Sequence, residues 1–138
     1  MITGNTHFAI ATHVLVALAA ANRLLTSAQL AATVGTNPAF LRAVLGRLRA
    51  ADLIITRLGP SGGALIGRPA GSISLLDVYR ATEGQAELSK HDCSGIECPI
   101  AKGIPRVLAR IEQRLDASVA EELSGFSIAD IVSEVLPS

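Results

Sequence analysis

Two groups of side chains in this 138-residue chain are of types and spacings that could do chemistry. Cys93 and Cys98 stand at Cys-x4-Cys spacing with His91 just before them, placing three soft donors within eight residues. Tetrahedral zinc or an iron–sulfur cluster needs a fourth ligand. The same spacing in a loop permits a reversible Cys93–Cys98 disulfide, and two free thiols can also act as no more than small hydrophobes. The second group is cationic. Residues 1–80 carry Arg23, Arg42, Arg47, Arg49, Arg57, Arg68 and Arg80 against Asp52 and Asp77, seven against two for a net +5. Residues 81–138 carry five bases against ten acids, a net −5. A neutral chain made of a basic half and an acidic half implies one surface for an anion and another for something else.

Enzyme chemistry is not expected. The spacing supports no Ser-His-Asp or Cys-His-Asn arrangement and no carboxylate pair in a cleft, and Gly59–Gly63 lacks the Gly-Lys-Ser/Thr ending of a phosphate loop. Hydrophobic residues at 49%, with charged residues at 17%, are enough for one packed domain with an appendage and too apolar for a disordered chain. The longest apolar stretch, Phe8–Ala21, is interrupted by Thr12 and His13 and falls short of the roughly 20 residues a bilayer requires. No basic residue precedes it as in a signal peptide. The expectation is a cytoplasmic, reducing setting without membrane contact.

The elements that must position these side chains are mostly helical. Asn5 or Thr6 caps a first helix to about Ala21, with Ala11, Val14, Leu15 and Leu18 at the 3.6-residue period and His13 expected as a satisfied core histidine. Thr26 and Gln29 form a capping box for a short second helix that Gly35 stops. Asn37-Pro38 opens a third helix, with Leu41, Val44, Leu45 and Leu48 on its buried face and Phe40 also expected in the core. Ala39, Arg42, Gly46 and Arg49 run down the opposite side, a positive but low-profile face. Two helices joined by a tight turn, the second presenting such a face, make a helix-turn-helix.

Leu53–Arg57 and Ala64–Ile66 read as a β-hairpin around the Gly59-Pro60-Ser61-Gly62-Gly63 turn, with Arg57 and Arg68 flanking it. Ser74 with Asp77 caps a fourth helix through Glu83, and 84–99 reads as a loop holding both cysteines. From about Lys102 to Leu123 the residues Ile104, Val107, Leu108, Ile111, Leu115, Val119 and Leu123 make a helical stripe, which places Pro105 in the first turn. So long a stripe exceeds the remaining core, and pairing with a second copy through residues 102–123 removes it from water. Ser127 and Asp130 cap a last short helix.

Together, Asn5-Thr6-His7-Phe8-Ala9, Leu45-Gly46-Arg47-Leu48-Arg49-Ala50-Ala51-Asp52-Leu53-Ile54, the Gly59–Gly63 turn and Ile73-Ser74-Leu75-Leu76-Asp77-Val78 resemble the winged helix-turn-helix regulators of the IscR, NsrR and CymR type, the Rrf-two family. The likeness covers nearly the whole chain. It implies a mainly α fold with a small β-hairpin wing and a long dimerisation helix. In function it implies a homodimeric bacterial transcription factor, usually a repressor, with the third helix in the major groove and the wing at the minor groove. The expected layout is a DNA-binding domain over 1–83, a sensor loop over 84–99, and the dimerisation helix with a short C-terminal helix over 100–138.

On this reading the partner is double-stranded DNA. Thr36, Asn37, Ala39 and Arg42 face base edges or phosphates, with Arg42 aimed at guanine. Arg47 and Arg49 meet phosphates, and Arg57 meets phosphates or the minor groove. Two departures from the family stand out. Members often carry a second basic residue before the wing glycine, where this chain has Leu58, and cluster-binding members carry three loop cysteines where this chain has two. In those members an N-terminal acidic or imidazole side chain completes the ligand set, and His7 stands at the matching place beside Cys93, Cys98 and His91. A cluster, a thiol switch and inert thiols all stay open. The competing class is a winged helix whose basic face meets an acidic protein.

Overall fold

A computed structural model of the chain describes residues 6–83 and 95–137. Helix α1 (Thr6–Ala21) buries Ala11, Val14, Leu15 and Leu18 completely, the four positions its apolar period selects. At the start of α2 (Ser27–Val34) the Thr26 hydroxyl accepts from the Gln29 amide (3.1 Å) while the Gln29 side chain accepts from the Thr26 amide (2.9 Å). Gly35, at φ +75°, ends α2 in the left-handed conformation that costs glycine little. Three residues later α3 (Pro38–Ala50) begins, its Phe40 amide donating to the Asn37 side chain at 2.8 Å. Leu41, Val44 and Leu48 of α3 close over α1.

Strands β1 (Ile54–Arg57) and β2 (Gly63–Ile66) pair antiparallel, with Ile54 opposite Ile66 and Arg57 opposite Gly63. This two-stranded hairpin makes the fold a winged helix-turn-helix. A 3-10 turn at Ala70–Ser72 leads to α4 (Leu75–Thr82), then come α5 (Pro99–Ser124) and α6 (Ile128–Val135). Ser74 and Ser127 each head a capping box. Their backbones also bridge: the Leu75 amide donates to the Phe126 carbonyl and the Ile128 amide to the Ile73 carbonyl, both at 2.8 Å. That bridge sets α6 against α1, where Ile128 is fully buried.

Three expectations need correction. His13 is exposed, because α1 turns about 100° per residue and its core face is taken by Ala11, Val14, Leu15 and Leu18. It lines an open apolar groove of about 760 Å³ between α1, α2 and α6, with Val16, Ile131 and Val135 among its walls. Helix α5 starts at Pro99, so Pro99 takes the first-turn position and Pro105 lies inside the helix. Leu45 is half-buried beside the wing. Phe40 packs at the core's edge, half-buried and stacked on His7 with ring centroids 4.5 Å apart.

Candidate nucleic-acid interface

The cleft between α3 and the wing follows from local sequence. Positions 42, 46 and 49 of α3 fall on one side because they are four and three residues apart, and Gly46 between the two arginines has no heavy atom within 4 Å of where a Cβ would stand. The hairpin brings β1 beside that side, with Arg57 at its end. The resulting hollow of about 630 Å³ is lined by Arg42, Arg49 and Arg57 together with Leu45, Gly46, Thr56 and the turn residues. None of its lining residues is acidic. The three guanidinium groups therefore reinforce one another's attraction for an anion with nothing in the cleft to neutralise them.

The turn itself is tightly built. Gly59 has φ +97° and its carbonyl accepts from the Gly62 amide at 3.0 Å. A Cβ on Gly62 would stand 2.1 Å from the Arg57 carbonyl oxygen, so the tip closes as it does because that side chain is missing. Leu58 stands 94% exposed at the tip.

Other expected contacts lie elsewhere. Thr36, Asn37 and Ala39 sit at the start of α3, outside the lining of the cleft, and the Asn37 side chain is occupied in capping Phe40. Arg47 stands about 140° around α3 from Arg42 and donates to the Thr82 carbonyl at the end of α4. Arg47 is exposed and makes there a tie from α3 to α4. Arg68 turns to Asp77 at 3.6 Å, also on α4. Sequence reasoning missed the first turn of α2: Thr26, Ser27 and Ala28 line the same cleft. Its capping box was legible, but the backbone bridge from Leu25 to Ala64 that carries it to the wing was not.

The sequence profile of the Rrf2 family, described as iron-dependent transcriptional regulator, matches residues 4–134. The chain belongs to the Rrf2 family. It is 33% identical over 132 residues to a protein named HTH-type transcriptional regulator YwnA of Bacillus subtilis, covering 95% of this chain and 98% of that one. Among solved structures, a transcriptional regulator from Lactobacillus plantarum superimposes with a TM-score of 0.80 at 21% identity, covering 94% of this chain and 89% of its own. CymR, the global cysteine regulator of B. subtilis, gives 0.68 at 22%, covering 97% and 98%. Rrf2 proteins are DNA-binding transcriptional regulators, not enzymes, and this chain is one of them. Among the described residues no helix is long and apolar enough to cross a membrane.

The Rrf2 description names iron, so the candidate ligands matter. Cys93 and His91 lie outside the described residues. His7 is stacked on Phe40. Cys98 occupies the N-cap of α5, where the Ala101 and then the Ile100 amides hold its thiol below the ordinary range against the opposing effect of burial. No amide there reaches full cap geometry to the sulfur, so the pull is that of nearby N–H dipoles. Among the described residues no three His, Cys, Asp or Glu side chains come together as a metal-holding group. These residues alone do not build an iron centre.

Proposed function

We propose that this Rrf2 protein is a homodimeric repressor that lays α3 in the major groove and its wing against the minor groove. Arg42 sets base preference together with Thr36, Asn37 and Ala39 at the start of α3. Arg49 and Arg57 hold phosphates or the minor-groove edge. The observation that carries the reading is the shared cleft of Arg42, Arg49 and Arg57, which has no acidic wall.

Dimerisation is supported by α5, which has no fully buried residue along its length and leaves Ile104 and Ile111 each about two-fifths exposed. A second α5 covers that stripe. The two reading heads must then stand about 34 to 36 Å apart to meet successive major-groove faces. A change at Cys93 and Cys98, of which Cys98 is the N-cap residue of that helix, alters this separation and with it affinity. For the thiol pair, oxidation by hydrogen peroxide closes the disulfide and releases two waters.

Duplex binding against salt tests the reading. Log affinity should fall with log salt by roughly 0.9 per phosphate neutralised, and Arg42→Glu should erase preference for a selected sequence. A protein that binds no duplex in either thiol state is a protein-interaction module instead. Transcription from a promoter carrying the selected site separates repression from activation, and sedimentation gives the oligomeric state.

A further inference from the structure

We propose that Thr82 and Glu83, where α4 ends, form a junction that sets the pose of the reading helix from both of its ends. The inference rests on α3 being the DNA-reading element.

Each tie is a direct contact. In the last turn of α3, the Arg47 guanidinium donates to the Thr82 carbonyl. In the first turn of α3, Phe40 stacks on His7 at 4.5 Å with the rings 23° from parallel. Beside His7, the Phe8 amide at the opening of α1 donates to the Glu83 carboxylate at 3.1 Å. One end of α3 is thus held by residue 82 directly, and the other by residue 83 through the first turn of α1. The two anchor residues are adjacent in the chain.

Each contact has a physical reason to persist. The Thr82 carbonyl lies at the C-terminal end of α4, where carbonyls lack intrahelical partners and the helix dipole favours a cation. Thr82 is itself nearly fully buried, and its hydroxyl donates to the Val78 carbonyl at 2.9 Å. Glu83 stands in the converse place, a carboxylate on an unsatisfied amide at a helix N-terminus.

The junction also meets α5. Tyr79, one turn before Glu83, packs edge-on against Phe8 with centroids 6.1 Å apart, and its hydroxyl lies in the field of Asp116 on α5 as well as of Glu83. A displacement of the α4 end relative to α1, imposed by α5, must therefore pull on Arg47 and on the His7–Phe40 pair together. Helix α3 then moves as a unit against the wing. Arg47 and Glu83 are positioning residues in this account, since Arg47 ties α3 to the end of α4 and Glu83 acts on α3 only through the first turn of α1.

The test uses the full chain, a duplex selected from a random pool, and a random duplex. Arg47→Met should weaken the selected duplex about five- to tenfold, somewhat less than the full worth of a hydrogen bond to a charged donor because Arg47 is exposed. Affinity for random duplex and the salt slope should stay unchanged, and Arg47→Lys should recover part of the loss. A uniform loss on both duplexes, with the slope smaller by about one, makes Arg47 a phosphate contact and overturns the proposal. Glu83→Ala covers the case in which the Arg47 variants do not fold. Removing a negative charge by itself favours DNA, whereas the junction requires selectivity to fall. Equal or tighter binding of the selected duplex by Glu83→Ala overturns the proposal. Wild-type protein that binds no duplex removes the DNA-reading role itself, an outcome visible before any variant is made.

Discussion

Leu25 and Ala64 exchange backbone hydrogen bonds in both directions, at 3.0 and 2.8 Å. That pair joins the residue before the α2 cap to the second strand of the wing, so the α2 start and the hairpin that both line the cleft are held together. The approach is close enough that a Cβ on Gly63 would stand 2.2 Å from the Leu25 carbonyl oxygen. Gly63→Ala must therefore push the two backbones apart, and chemical denaturation should show a loss of about 1–3 kcal/mol. Gly71→Ala, at a site with nothing within 4 Å, is the control and should sit near zero.

Gly46 separates stability from function. It lies in the interior of α3, exposed, with open space where a side chain would stand. Gly46→Ala should raise stability by about 0.5–1 kcal/mol through the better helix propensity of alanine. The added methyl also fills the cleft floor between Arg42 and Arg49, so affinity for a selected duplex should drop in the same protein. Thermal melts and anisotropy titrations that moved in the same direction would place the DNA elsewhere.

Leu58 occupies the wing tip almost wholly in solvent, so its side chain contributes little to the fold. Leu58→Arg adds a fourth guanidinium to the rim of the cleft beside Arg57. Melting should be unchanged, and the slope of log affinity against log salt should steepen by roughly 0.9. An unaltered slope would mean that the wing does not approach the phosphates.

Tyr79 carries a buried hydroxyl with no hydrogen-bond partner among the described residues, and its ionisation is opposed first by burial, then by Asp116 and Glu83. Its folded-state value lies above the ordinary 10.0. The stability that depends on its proton is complete below pH 10.0, the value it takes in the unfolded chain, and is lost as pH rises from there toward the folded value. Tyr79→Phe should flatten this alkaline limb while leaving stability at neutral pH equal or slightly higher, because no bond is broken and a desolvated hydroxyl is removed. Melting temperatures across alkaline pH read both effects.

For Cys98 the sign is reversed. The nearby amides favour the thiolate, so alkylation of Cys98 in a Cys93→Ser background should reach half its maximal rate at a lower pH than alkylation of the unfolded chain. Coincident profiles would remove the influence of the α5 N-terminus on this thiol.

Much of this protein was legible from local signals alone. Each of the three capping boxes, the Asn37-Pro38 start and the Gly35 stop acts over three or four residues, a range on which sequence and structure report the same physics. The cleft arginines were legible for the same reason, since Arg42 and Arg49 lie two helical turns apart on any α-helix. What lay beyond sequence was decided by which surfaces meet. Arg47 and Arg68 count equally with Arg42 in a charge sum, yet both turn to α4, because the packing of α3 and of the wing's exit against that helix puts acceptors within their reach. His13 sits in an apolar run but points away from it, since an α-helix of this size buries only one face. The joining of α4's end to both ends of α3, and of Leu25 to Ala64, spans tens of residues of sequence, and contacts of that range exist only once the core has brought the elements together.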